Sequence, residues 1–204
     1  MKEKRTQTLP ASTMSASVQS QPARRDHTVC MHRVGAVRED VRAMRAATAL
    51  WQAGLDVSII DLDLDQSYPD ELVPGITVRH MAIQDRETTT WFKPWLIVKL
   101  FRQFIARVRW LVQSDADSYH ALEVDTVFAC FAAGLLRRKP VVYEVYDLPY
   151  DSPYFKSNLR RRVYRRLMLW GLRCVVPHVH GIIAASPEYA RLVKRQLGGP
   201  EPVV

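Results

Sequence analysis

The sequence predicts an α/β fold, a parallel sheet with helices on both faces, and two observations predict it. From residue 27 onward, short runs rich in Val and Ile alternate with longer segments whose apolar residues recur at helical spacing. Strands and helices that alternate in this way build parallel sheets through crossover helices. At 204 residues and 48% hydrophobic composition, the chain is long enough for one cored domain.

Each element follows from a local pattern. Residues 1–26 are rich in Ser, Thr, Gln, Pro and Ala and hold no apolar run of signal-peptide length. They read as a disordered tail, followed by one domain over 27–204. "HTVCMHRV" (27–34) is a strand that runs into Gly35. "REDVRAMRAATALWQAG" (38–54) is helical, with Glu39 and Asp40 in its first turn and Gly54 after its end. "LDVSIIDLD" (55–63) is a strand, and "PGITVRHMAI" (74–83) another, entered from a Pro-Gly turn. "KPWLIVKLFRQFIARVRWLVQ" (93–113) is a long helix. Its expected apolar face holds Ile97, Phe101, Phe104, Ile105, Val108, Leu111 and Val112. A short strand within 114–122, an Ala-rich helix over 125–138 and a strand over 139–147 come next. A second basic helix spans 158–176, and 180–198 reads as a strand, a Ser-Pro-Glu helix start and a helix. The closing "EPVV" begins a further strand.

Charge and cysteines narrow the class. A formal net charge of +8 points to an anionic partner, whether phospholipid, phosphorylated small molecule or nucleic acid. No nucleic-acid recognition module is visible, so nucleic acid is the least favoured of these. Cys30, Cys130 and Cys174 show no CxxC spacing. They are expected to be buried, reduced thiols of a cytoplasmic protein. No segment holds the roughly 18 uninterrupted apolar residues of a membrane span.

Four stretches can carry chemistry. In "HRVGAVRED" a single glycine stands where a dinucleotide fold shows GxGxxG, which disfavours an NAD site. Gly35 can let this loop lie near a phosphate, and Arg38 can neutralise one. Alternatively Gly35 makes a turn and Arg38 is solvated. In "YHALEVDT" (119–126), His120 can bond a sugar hydroxyl or assist proton transfer, and Glu123 and Asp125 can accept hydrogen bonds from hydroxyls. Asp125 is equally placed to cap the following helix. In "VVYEVYDLPYDSP" (141–153), alternation puts Glu144 and Tyr146 on one side of the strand, with Asp147 at its end. Carboxylates at a strand end suit polyol recognition, whereas Asp147 and Asp151 beside prolines also suit a turn. No metal-ligand spacing is present.

The fourth stretch is the pair of basic helices, which contain no acid. Lys99, Arg102 and Arg109 on the first, and Arg161 and Arg165 on the second, are the residues expected to face an anionic membrane surface. The competing expectation is that the apolar faces pack on the sheet and the charges are merely solvated.

The order of these elements resembles that of family-4-like glycosyltransferases. "VREDVRAMRAATALWQAGLDVSIIDLD" is similar to the family's first helix and second strand. "DADSYHALEVDTVFACFAAGLLRRKPVVYEVYDLPY" is similar to its central run of His-ended strand, Asp-containing loop, Ala-rich helix and polar strand end. "VHGIIAASPEYARLVKRQLG" looks like the segment before its interdomain crossover. The resemblance implies the GT-B fold, two Rossmann-like halves facing a cleft, of which this chain is the N-terminal, acceptor-binding half, with the C-terminal donor domain absent.

By that resemblance His120, Glu123 and Asp125 match the family's His-containing loop, and Glu144 and Asp147 its strand-end polar positions. Two departures stand out. The first loop lacks the Gly-Gly of many members, and the strand end puts Tyr146 or Asp147 where a His is usual. The implied activity is transfer of a sugar from a nucleotide-sugar to a lipid-linked or glycan acceptor, with retention of configuration. The nucleotide-sugar is then a co-substrate, and no resident cofactor or metal is expected. Without the donor domain this half is expected to be inactive. The alternative is a non-catalytic peripheral membrane or interaction module. Either way the chain is expected in the cytoplasm or on the inner face of the plasma membrane.

Overall fold

The computed structural model describes residues 27–62, 71–81, 94–146 and 159–204. The 1–26 segment and Asp147 lie outside the described residues, as does Asp151. The strands are β1 (Thr28–His32), β2 (Asp56–Asp61), β3 (Glu71–Val73), β4 (Ile76–His80), β5 (Ser118–Leu122), β6 (Val141–Val145) and β7 (Gly181–Ala184). The helices are α1 (Val41–Gln52), α2 (Pro94–Gln113), α3 (Val124–Arg137), α4 (Leu159–Val175) and α5 (Pro187–Leu197).

The strands form one seven-stranded sheet in the order β3-β4-β2-β1-β5-β6-β7. Every pairing is parallel except β3 with β4. The Pro-Gly signal at 74–75 therefore marks a hairpin rather than the entry to a lone strand. Gly75 takes φ +88°, and a Cβ there would lie 2.3 Å from Trp51 Nε1, so both backbone and packing require glycine. Val203 forms a single parallel bridge with Ile183, where the sequence suggested another strand.

Side-chain alternation splits the core into two layers. One face of the sheet (Cys30, Ile60, Tyr119, Ala121, Tyr143, Val145, Ile182) packs against α2, α3, α4 and α5. The other face (Val29, Met31, Val57, Ile59, Val78) packs against Ala43 and Ala47 of α1. From β1 the chain winds outward through β2 and β4, then returns to start again at β5 on β1's other side. The β1/β5 boundary is thus a topological switch point, and ligands of such sheets bind outside the carboxyl ends of the strands there.

Three further expectations are corrected. The 38–54 helix is broken: a 3-10 turn (Val37–Glu39) precedes α1, and Asp40 is the N-cap. Asp40 Oδ1 accepts from the backbone N–H groups of Arg42 at 2.9 Å and Ala43 at 3.2 Å. On α2, Val108 and Leu111 are buried and Phe104 and Val112 pack on the core, but Phe101 and Ile105 point outward. The apolar residues of α2 cover more of its circumference than α3 and the sheet can bury. Cys30 and Cys130 are buried, with thiol pKa values raised chiefly by that burial, whereas Cys174 is exposed.

Candidate functional site

Polar side chains gather where β1, β2, β5 and β6 end. At the end of β2, Asp61 is fully buried. Its Oδ2 accepts the Val37 backbone N–H at 2.9 Å, and its Oδ1 lies 2.7 Å from His80 Nδ1. Asp61 thereby pins the 33–40 loop to the sheet. That loop carries Arg33, which pairs with Asp40 and reaches to 3.9 Å from Glu123 Oε1 beyond β5. Arg33 thus spans the switch point.

At the end of β1, His32 is also fully buried, and its Nδ1 donates to the Ile60 carbonyl at 2.8 Å. Burial is the main force lowering its pKa from 6.5 to about 4, partly opposed by that hydrogen bond. The folded ring therefore stays neutral at pH 5 while the unfolded one takes up a proton. Stability is complete above pH 6.5 and falls as pH drops toward 4, by roughly 3 kcal/mol in total from this residue. Urea titrations at pH 7 and pH 5 are expected to show this loss, and His32→Gln to show a smaller difference between the two pH values.

Across the switch point, His120 and Glu144 project from neighbouring strands. Both alternate with residues of the α2–α5 layer, so both face the α1 side of the sheet. His120 Nε2 lies 2.9 Å from Glu144 Oε2, and both side chains are largely buried. Neither atom makes an aligned hydrogen bond. A carboxylate beside Nε2 favours the proton on that nitrogen and leaves Nδ1 as the acceptor, the form of imidazole that takes a proton from a hydroxyl. Tyr146, buried on the same side, has the Arg42 guanidinium 4.5 Å from its ring centroid. Burial first, and the nearby Glu144 carboxylate second, push its phenol pKa well up, so it stays a protonated donor.

Glu123 holds an unusual backbone. Its φ of 78° and ψ of 168° belong to a region occupied almost only by glycine, at a cost of about 1–3 kcal/mol. Its N–H donates to the Glu144 carbonyl at 3.2 Å, and its own carbonyl accepts from Thr126. Glu123 is the N-cap position of α3, yet its side chain makes no capping bond. Glu123→Gly is expected to raise stability by about 1 kcal/mol, because relief of strain exceeds the added chain entropy. Thermal denaturation of Glu123→Gly beside Glu123→Ala checks this, with only glycine gaining.

The other candidates fall elsewhere. Asp125 is not the cap of α3 but an exposed residue of its first turn, with Arg107 of α2 and Tyr164 of α4 as electrostatic neighbours. Gly35 has φ +102°, which the turn requires of it, and open space where a Cβ would be. Arg38 is exposed on the 3-10 turn, and Arg33 is the arginine aimed between the strand ends. Lys99 is half-buried and Arg102 and Arg109 are exposed on α2, while Arg161 and Arg165 are half-buried on α4. The residues missed in the sequence are His32, Arg33, Asp61 and His80. The available signal was a polar residue at the carboxyl end of each of three strands. Among the described residues no group of three or more His, Cys, Asp or Glu converges as a metal site. Nor is any helix among them long and apolar enough to cross a membrane.

Three solved structures share this fold. Sucrose-phosphate synthase from Thermosynechococcus elongatus is 14% identical with a TM-score of 0.58, over 87% of this chain and 47% of that one. Arabidopsis thaliana UGT89C1 is 12% identical with a TM-score of 0.56, over 86% of this chain and 48% of that one. A UDP-N-acetylglucosamine 2-epimerase is 13% identical with a TM-score of 0.55, over 87% and 47%. The chain thus spans about half the length of these structures. No curated protein sequence matches it. The model of the glycosyl transferase 4-like domain matches residues 39–204. With that match over most of its length, and with a GT-B-type Rossmann-like sheet, the chain belongs to the glycosyl transferase 4-like domain family.

Proposed function

We propose that this chain is the acceptor-binding half of a glycosyltransferase that moves a sugar from a nucleotide-sugar to a lipid-linked or glycan acceptor. The observation that supports it best is the pairing of His120 with Glu144 at 2.9 Å beside the β1/β5 switch point. In this reading His120 takes the proton from the attacking hydroxyl. Glu144 keeps the ring in the receptive tautomer, and Glu123 and Arg33 bond neighbouring hydroxyls of the acceptor. The loop lacks a glycine-rich phosphate cradle, so donor phosphates fall to a second half.

Purified chain of residues 1–204 is accordingly expected to transfer no sugar when given a panel of nucleotide-sugars with glycan and lipid-linked acceptors. Detection of a glycosylated product by mass spectrometry would contradict the division of labour between two halves.

A further inference from the structure

We propose that the outer surfaces of α4 and α2 form a docking face for an anionic lipid bilayer, with an apolar stripe that inserts between headgroups. On α4, Leu159, Val163, Leu167 and Trp170 recur at helical spacing and lie within about 80° of one another around the axis. They point to solvent: Leu159 is 75% exposed, Leu167 62% and Trp170 68%. The opposite side of α4 holds it in place, with Leu172 buried and Gly171 seated against Phe128 of α3. Arg162, Arg166 and Arg173 are exposed and follow one edge of the stripe.

The outer side of α2 repeats the pattern. Val98, Phe101 (63% exposed) and Ile105 stand outward, interleaved with Arg102 and Arg109. The two helices flank the start of α3, where Arg107 and Tyr164 both neighbour Asp125. Large apolar side chains exposed side by side on a protein surface mark an interaction site.

Charge selects the partner. Residues 94–113 and 159–175 hold ten of the chain's 29 Lys and Arg and none of its 21 acids. The rest of the chain is close to neutral, so the positive balance of the molecule is concentrated on these two helices. Apolar side chains next to arginines, on two helices that carry no carboxylate and share the neighbour Asp125 of α3, match a surface whose headgroups are anionic and whose interior is apolar. The face differs from that expected from sequence: Arg161 and Arg165 are half-buried, and among the described cations of α4 the exposed ones are Arg162, Arg166 and Arg173.

Co-sedimentation of the 1–204 chain with vesicles tests this and reads no sugar transfer, so it stands or falls apart from the acceptor reading. Binding is expected to mixed phosphatidylglycerol/phosphatidylcholine vesicles at low salt, and only weakly to phosphatidylcholine alone. The double variant L167S/W170S, altered at exposed positions, is expected to bind the mixed vesicles at least about tenfold more weakly with unchanged thermal stability. R162E/R166E/R173E is expected to lose the preference for phosphatidylglycerol. Three results would overturn the proposal. One is no binding to the mixed vesicles. Another is L167S/W170S binding as well as the parent, which would leave only diffuse charge attraction. The last is a lipid-free dimer in sedimentation velocity that L167S/W170S dissociates, which would make a second copy the occupant of the stripe.

Discussion

Replacing Asp61 with alanine is expected to lower folding stability by about 2–5 kcal/mol, the cost of leaving two buried hydrogen-bond donors without their acceptor. The magnitude follows from what the carboxylate does. It is fully buried, accepts the Val37 N–H at 2.9 Å and lies 2.7 Å from His80 Nδ1. Alanine leaves both donors without that acceptor inside the protein, and a small cavity besides. Asp61→Asn keeps one carbonyl oxygen for Val37 and is expected to cost less than half as much. Guanidinium denaturation of the three proteins checks the order. The effect reaches the site, because the 33–40 loop that Asp61 anchors carries Arg33 and Asp40. Hydrogen exchange in this loop is therefore expected to quicken in Asp61→Asn before global stability is much reduced.

The second large effect concerns chemistry. In an enzyme completed by a donor half, His120→Ala is expected to lower the rate of sugar transfer by about 10²- to 10⁴-fold, the usual contribution of a positioned general base. Glu144→Gln is expected to cost less, about tenfold to a hundredfold, since the amide preserves shape but no longer favours one ring tautomer. The two effects are not additive if the residues act as a unit, so the double variant is expected to resemble His120→Ala. A steady-state comparison of the four proteins, with kcat and KM separated, distinguishes this from simple unfolding. Loss of fold lowers the amount of active enzyme without changing the pH profile, whereas loss of the base alters the profile.

Much of the architecture was legible because period-2 and period-3.6 patterns are dictated by backbone geometry alone. Alternation in "VVYEVY" put Glu144 and Tyr146 on one side, and β6 with the residue that follows it places both on the α1 face. The helix starting at Ser186 was legible for the same kind of local reason: its hydroxyl accepts the Tyr189 N–H at 3.2 Å. What escaped depends on residues distant in sequence. His32 and Asp61 are each the last, polar residue of a strand whose preceding two residues are apolar. Their partners, Ile60 and Val37, are 28 and 24 residues away. Nothing local says that either is buried. Asp40 looked like an ordinary acid in a first turn, because the break between the 3-10 turn and α1 is set by the tether to Asp61. The outward turn of Phe101 and Ile105 could not be read from α2 either. Periodicity gives a helix its apolar sector, but α3 and the sheet decide how much of that sector is covered.

The most direct measurement is chemical-shift mapping of the isotopically labelled 1–204 chain with oligosaccharides, lipid-linked sugars, nucleotide-sugars and NAD, each added alone. An acceptor-binding half predicts shifts from a glycan or lipid-linked sugar at amides 33–40, 120–126 and 144–146. Those shifts are lost in the His120→Ala/Glu144→Gln double variant, and nucleotide-sugar or NAD produces little change. If nucleotide-sugar or NAD instead shifts those amides and no glycan or lipid-linked sugar does, the chain is a nucleotide-binding unit in its own right, and the acceptor-side reading is wrong.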